Sequence, residues 1–211
     1  MSFVHLNKSR VFASADTAWL PGDRGPLWRV AYGVLCLDRP QGSHPDASCL
    51  VQLALPGDLV GLEALCDQRY RLGASALTPA QLDPVVLDSM ATREHFLQKA
   101  VMQSQRRSLD IAALRTGPVP QRVAHLLMLL GHERHLGVLG SAVDADAIRN
   151  SLPRLRELAG VVDAKTETVC RALARLLPPR SRRSGPTRST VAAPAPLVSW
   201  QVSSRLAGAQ V

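Results

Sequence analysis

The stretch LRELAGVVDAKTETVCRALARL, residues 155–176, is the part of this chain whose reading decides its fold. Leu155, Leu158, Ala159 and Val162 recur at helical spacing, and after a short gap so do Val169, Ala172, Leu173 and Leu176. Asp163 and Ala164 separate the two patterns. Asp163 falls where a left-handed backbone is expected, and Asp is among the non-glycine residues that tolerate it. The small Ala159 lets the two helices cross closely. Such an arrangement predicts a helix-turn-helix, whose second helix enters the major groove with its N-terminal residues toward the base edges.

The outward face of the second helix is then Lys165, Thr166, Glu167, Cys170, Arg171 and Arg175. Arginine pairs in bidentate fashion with guanine, and glutamate accepts from cytosine N4. Lys165 and Arg175 suit phosphates, which position a protein without specifying sequence. A plainer reading also stands: Glu167 and Arg171, four apart, as an intrahelical ion pair worth roughly 0.2–0.5 kcal/mol. Cys170 likewise has two readings, a redox-sensitive thiol on a DNA-facing surface or a small residue that fits against the groove.

Charge is unevenly placed. Residues 1–148 hold 14 basic and 14 acidic residues, whereas residues 149–211 hold 11 basic and 3 acidic. The whole net charge of +8 therefore sits in the last 63 residues. That asymmetry points to a polyanionic partner, most simply double-stranded DNA; a basic tail without a partner is the bland alternative.

The 211 residues suffice for one large domain or two small ones, and with aromatics at only 4% aliphatic side chains must fill the interior. The opening MSFVHLNKSRVF lacks the apolar run of a secretory signal, and VAHLLMLLG at 123–131 is far too short to span a membrane. A cytoplasmic protein without membrane contact is expected. Cys36, Cys49, Cys66 and Cys170 share no metal-binding or disulfide spacing. His132 and His135 lie close together but lack further ligands. With no metal site, no phosphate loop and no nucleophile beside a base, neither a cofactor nor an enzyme is expected.

Up to about residue 84, short apolar runs (LWRVAYGVLCL, SCLVQLAL, LGASALT) alternate with turn formers (PGDRG, RPQGSHPD, LPGD). These predict a small antiparallel sandwich or barrel, with a short helical GLEALC segment. Residues 87–115 contain no Gly or Pro and predict one helix of about 40 Å, with Leu97, Val101, Ile111 and Leu114 on one face. Such a helix seeks a partner helix or lies across its own sheet. TGPVP breaks it, Pro120 opens the next helix, Val123, Leu126, Leu127 and Leu130 form its core face, and Gly131 stops it. Residues 178–211 are rich in Pro, Ser, Thr and Arg and read as loop or disorder, with one possible strand at LVSWQV.

RELAGVVDAKTETVCRAL resembles the winged helix-turn-helix signature of the CRP/FNR superfamily of bacterial transcription regulators, its E-T-V-x-R core standing at Glu167, Thr168, Val169 and Arg171. LWRVAYGVLCL and LPGDLVGLEAL are similar to stretches of that family's cyclic-nucleotide-binding-like β-roll, and the 87–115 helix falls where the family places its dimerisation helix. The resemblance covers about residues 11–177. It implies an α+β fold: an N-terminal antiparallel β-roll, cupin- or jelly-roll-like, over 1–84; a long dimerisation helix over 85–117; a helix-turn-helix domain over 118–177; and a basic tail or divergent wing over 178–211. It further implies a homodimer on an inverted-repeat promoter site, with Glu167 and Arg171 reading a GA-containing half-site and RNA polymerase as a further partner.

Departures from the family pattern shape the functional expectation. The family's cyclic AMP binders carry Gly-Glu for the ribose and Arg-Ser for the phosphate; here Gly61-Leu62 and Tyr70-Arg71 stand there. Control by cyclic AMP is not expected, and the effector site is unassigned. Cys36, Cys49 and Cys66 are too dispersed to repeat the cluster of the oxygen-sensing branch. PPRSRRSGPTRST resembles no wing, so the alternative is a sensor or interaction module that has lost specific DNA binding.

Overall fold

The computed structural model describes residues 8–41, 44–131 and 148–177. His132, His135, the expected tail or wing at 178–211 and the LVSWQV strand lie outside the described residues.

Among the described residues eight strands build the N-terminal part: β1 Arg10–Phe12, β2 Thr17–Trp19, β3 Trp28–Tyr32, β4 Leu35–Gln41, β5 His44–Ala54, β6 Leu59–Val60, β7 Gly73–Ala76 and β8 Ala80–Pro84. They form two antiparallel sheets of four, in the orders β1-β8-β3-β6 and β2-β7-β4-β5. The three apolar runs of the sequence supply β3, β4, β5 and β7. Strands β1, β2, β6 and β8 are two to five residues long and carried no run of their own. GLEALC becomes a 3-10 helix, Leu62–Cys66. Between the sheets, Trp19, Trp28, Val30, Leu35, Leu37, Tyr70 and Leu82 make one buried cluster.

The LPGD motif makes the tight connection between β5 and β6. Pro56 presets its own φ, Gly57 takes φ 91, and the Asp58 amide donates to the Leu55 carbonyl at 2.9 Å. The Asp58 carboxylate also accepts from the Leu55 amide at 2.8 Å. The turn thus satisfies its own backbone and presents a buried aspartate to whatever packs on it.

What packs on it is the long helix α1, Met90–Arg115, capped by Ser89, whose hydroxyl accepts from the Thr92 amide at 3.0 Å. The four residues expected on one face divide between two. Phe96, Ala100 and Leu114 are buried, with Ile111 partly so, whereas Leu97 and Val101 point to solvent at 42% and 56% exposure. The inner row is part polar because Gln103 and Arg107 find specific partners there. Gln103 accepts from the Leu59 amide at 2.7 Å and donates to the Leu59 carbonyl at 2.8 Å, extending the β6 edge. A helix of this length is amphipathic only in part, and hydrophobicity alone misassigns its faces.

Helix α2, Val119–Leu129, follows; Pro120 is its second residue rather than its first, and Gly131 at φ 81 lies just beyond its end. Val123, Leu126 and Leu127 are buried as expected, while Leu130 is only partly covered. Helices α3, Leu155–Val161, and α4, Thr166–Leu176, complete the described chain. A single cluster joins Val34, Leu53, Leu55 and Leu77 of the roll to Leu114 of α1 and to Val123, Leu126, Leu158, Val162 and Val169 of the three C-terminal helices. Leu114 is fully buried at the meeting point of all of these.

Candidate nucleic-acid interface and the cleft of the roll

The turn between α3 and α4 is built as its residues dictate. Asp163 adopts φ 50, and the Ala164 amide donates to the Ala159 carbonyl at 3.0 Å, closing the end of α3. Lys165 caps α4, its carbonyl accepting from the Thr168 and Val169 amides. Val169 and Ala172 are buried, Leu173 and Leu176 partly so, and Ala159 and Val162 are buried on the facing helix.

The opposite face of α4 is open. Lys165, Thr166, Glu167, Cys170, Arg171 and Arg175 are all exposed. The structure brings these six residues together along one helix, with Arg175 in the last turn, where a cation meets the helix dipole favourably. Glu167 and Arg171 approach at 3.6 Å while 84% and 76% exposed, so their mutual attraction is weak and both remain available to a partner. Cys170 is a free thiol on this face.

Two arginines that sequence reasoning missed brace the turn from behind. Arg122 of α2 donates from Nε to the Gly117 carbonyl at 2.8 Å and from Nη1 to the Val162 and Asp163 carbonyls at 3.1 and 3.3 Å. It thereby ties the α1–α2 hinge to the helix-turn-helix corner and satisfies carbonyls left unpaired at the end of α3. Arg115, in the last turn of α1, lies 3.6 Å from the Asp163 carboxylate. Neither residue carried a signal, because only the fold brings positions 115, 122 and 163 together.

Solved structures match this fold over most of the chain. TTHB099, a CRP-family transcriptional regulator from Thermus thermophilus, matches with a TM-score of 0.58 at 24% identity, over 79% of this chain and 83% of that one. FixK2 from Bradyrhizobium japonicum matches at 0.55 and 21% identity, over 81% and 84%. TTHA1359, a CRP/FNR-family regulator also from Thermus thermophilus, matches at 0.51 and 23%, over 80% and 85%. The chain has the CRP/FNR fold. No protein-family model matches the sequence, and no curated protein matches it.

In the roll, Gly61, Leu62, Tyr70 and Arg71 are engaged with this chain's own side chains and backbone. The ring of Tyr70 lies against Gly61 so closely that a Cβ there would stand 2.6 Å from Cε1. The Tyr70 hydroxyl accepts from Trp28 Nε1 at 3.0 Å and donates to the Pro26 carbonyl at 2.6 Å, and the ring packs on Trp19 at a centroid distance of 4.8 Å. Burial pushes the Tyr70 phenol up to about 12. Leu62 is packed against the cluster of Leu27, Leu59 and Phe96, and the neighbouring Glu63 spends its carboxylate on the Arg71 amide at 2.9 Å. Arg69 donates to the Gly22 carbonyl at 2.8 Å.

Cys36, Cys49, Cys66 and Cys170 are free thiols. Cys36 and Cys49 are half-buried on β4 and β5, and Cys66 and Cys170 are exposed. Burial, then the charges of Asp38 and Glu157, push the Cys36 thiol up to about 12, so it is held protonated and inert at neutral pH. Among the described residues no group of three or more potential ligands is placed to hold a metal, and no helix is long and apolar enough to cross a membrane.

Proposed function

We propose that this chain is a dimeric, sequence-specific DNA-binding transcription regulator that reads a palindromic promoter site through α4, works in the cytoplasm and is not controlled by cyclic AMP. The observation that carries the reading is α4 itself: one face buried against α2 and α3, the other an exposed row of Lys165, Thr166, Glu167, Cys170, Arg171 and Arg175. Glu167 and Arg171 are assigned to base edges, and Lys165 and Arg175 to phosphates. RNA polymerase is the partner such a regulator engages from its site.

Dimerisation is supported by the outer face of α1. Met90, Leu97 and Val101 are exposed at 78%, 42% and 56%, in one row continued by the small Ser104 and Ser108. Apolar side chains in such a row are covered by the same row of a second copy. Val101→Glu is expected to leave a folded monomer in analytical ultracentrifugation, with loss of DNA binding. An unchanged dimer would remove this role from α1.

Independence from cyclic AMP is supported by Tyr70, which fills the space over Gly61, and by Leu62, an apolar residue where the ribose would need an acceptor. Millimolar cyclic AMP should change neither the melting temperature nor the DNA affinity.

The deciding experiment is selection from a random duplex library, followed by gel shifts on the recovered sequence. An inverted repeat is expected, and Glu167→Ala or Arg171→Ala should each weaken specific binding by about 1–3 kcal/mol, roughly ten- to a hundredfold. Weak, salt-labile binding without sequence preference would instead make the chain a sensor or interaction module.

A further inference from the structure

The basic residues of α1 divide into two sets. Arg93 meets Asp67 at 3.3 Å, Arg107 meets Asp58 and Asp110, and Arg115 meets Asp163. Lys99 and Arg106 meet no carboxylate among the described residues; the ammonium of Lys99 stands only over the Phe96 ring, 5.7 Å from its centroid. Both unpaired cations line the same groove, of about 560 Å3, between α1 and the β3–β6 edge of the roll. Arg29 and His95 line it too, Phe96 and Leu59 supply apolar surface, and no acidic side chain contributes among the described residues.

Seven residues of helix set Lys99 and Arg106 about 10 Å apart along the axis, on one side of α1. That side is turned away from the row proposed for dimerisation. Arg106 is nine residues past Leu97, which puts it about 180° round the helix. The groove therefore stays open when Leu97 and Val101 are covered. Neither Gly61, Leu62, Tyr70 nor Arg71 lines it, so it is separate from the part of the roll around Tyr70.

We propose that this groove is a binding site for a small organic anion, a phosphate or carboxylate carried on an apolar body. The anionic group sits against Lys99 and Arg106 with Arg29 opposite, and the apolar part rests on Phe96. A cleft lined by one sign of charge over low-dielectric walls concentrates counter-ions, and the pairing of every other basic residue on α1 leaves this set as the helix's free positive charge. The groove joins α1 to the roll at the point where Gln103 already bridges them, so a bound anion stiffens the contact on which the long helix rests.

The chain contains three lysines, Lys8, Lys99 and Lys165, which makes the site directly mappable. Pyridoxal 5′-phosphate is an aromatic phosphate whose aldehyde condenses with a lysine amine, releasing water; borohydride then reduces the imine to a stable amine. Modification of the full chain, followed by peptide mass spectrometry, reads each lysine separately. Lys99 is expected to react about tenfold faster than Lys8. Arg106→Gln and Arg29→Gln should each lower the Lys99 rate several-fold, Arg24→Gln should leave it unchanged, and excess inorganic phosphate should slow it. Equal rates at Lys99 and Lys8, a Lys99 rate indifferent to Arg106→Gln, or no competition by phosphate would overturn the proposal. Lys165 reports separately on the α4 face, so failure here leaves the DNA-binding reading untouched.

Discussion

The guanidinium of Arg107 donates from Nε to the Asp58 carboxylate at 2.8 Å, joining the middle of the long helix to the LPGD turn of the roll. The same guanidinium meets Asp110, whose other oxygen lies 3.3 Å from Nε2 of His125 on α2. A polar chain thus runs from the roll to the long helix, with His125 of α2 standing close to its end. Asp58 is the one buried charged residue among the described residues, and it already accepts from the Leu55 amide. Burying a carboxylate is costly unless it is paired and hydrogen-bonded, and here it is both.

Removing one partner strands the other. Arg107→Ala is expected to lower the stability to urea by about 3 kcal/mol, and Asp58→Asn by a similar amount. The double variant Asp58→Asn/Arg107→Met should lose less than the sum, because no buried charge is left uncompensated. Simple additivity in the double-mutant cycle would show that the two groups do not act as a pair.

Stability should also fall at high pH. The unfolded thiol of Cys36 loses its proton near 9.0 and the unfolded phenol of Tyr70 near 10.0, whereas in the fold both are pushed up to about 12. The folded chain therefore holds protons that the unfolded chain releases, and this contribution is complete below pH 9 and is lost as pH climbs toward 12. Urea midpoints in the presence of reductant should decline from about pH 9, by up to about 1.4 kcal/mol per pH unit for each group. Cys36→Ala should postpone the decline to about pH 10. A profile flat to pH 11 would contradict both shifts.

At the helix-turn-helix corner, Asp163 holds φ 50, a region that costs a β-branched residue about 1–2 kcal/mol. Asp163→Val should be less stable than the parent by that amount. Asp163→Gly should match or exceed the parent, since the contact with Arg115 involves a largely exposed carboxylate and contributes little. A valine variant as stable as the parent would mean that the corner relaxes without cost.

Lys165 and Arg175 should behave unlike Glu167 and Arg171. Lys165→Ala and Arg175→Ala are expected to weaken binding to every duplex alike and to reduce the slope of log K against log salt by about 1 each. A change of sequence preference in either variant would move that residue from phosphates to bases.

The helix-turn-helix was legible because it is local. Its two apolar patterns, its short connection and the one residue able to take a left-handed turn all lie within 22 consecutive positions. The exposed row from Lys165 to Arg175 follows from the same periodicity, since Val169 and Ala172 can be buried only if those residues face out. The roll was legible where apolar residues run together between turn formers. Strands β1, β2, β6 and β8 lie outside those runs and carried no such signal. The α1 helix was legible in extent but not in orientation: Leu97, Val101, Ile111 and Leu114 read as one face, yet Leu114 is buried while Leu97 and Val101 are exposed, and Gln103 and Arg107 hold the side against the roll.

By itself, the sequence determined the order of elements, the corner at Asp163 and the concentration of positive charge in the last 63 residues, because each depends on neighbours in the chain. Only the tertiary structure decided which side of α1 is inside, that Tyr70 fills the space above Gly61, and that Arg115 and Arg122 converge on one turn. Those outcomes depend on partners distant in the chain, among them Tyr70 on Gly61 and Arg107 on Asp58, and the free energy of a buried charge or a filled space is set by what stands opposite it in space.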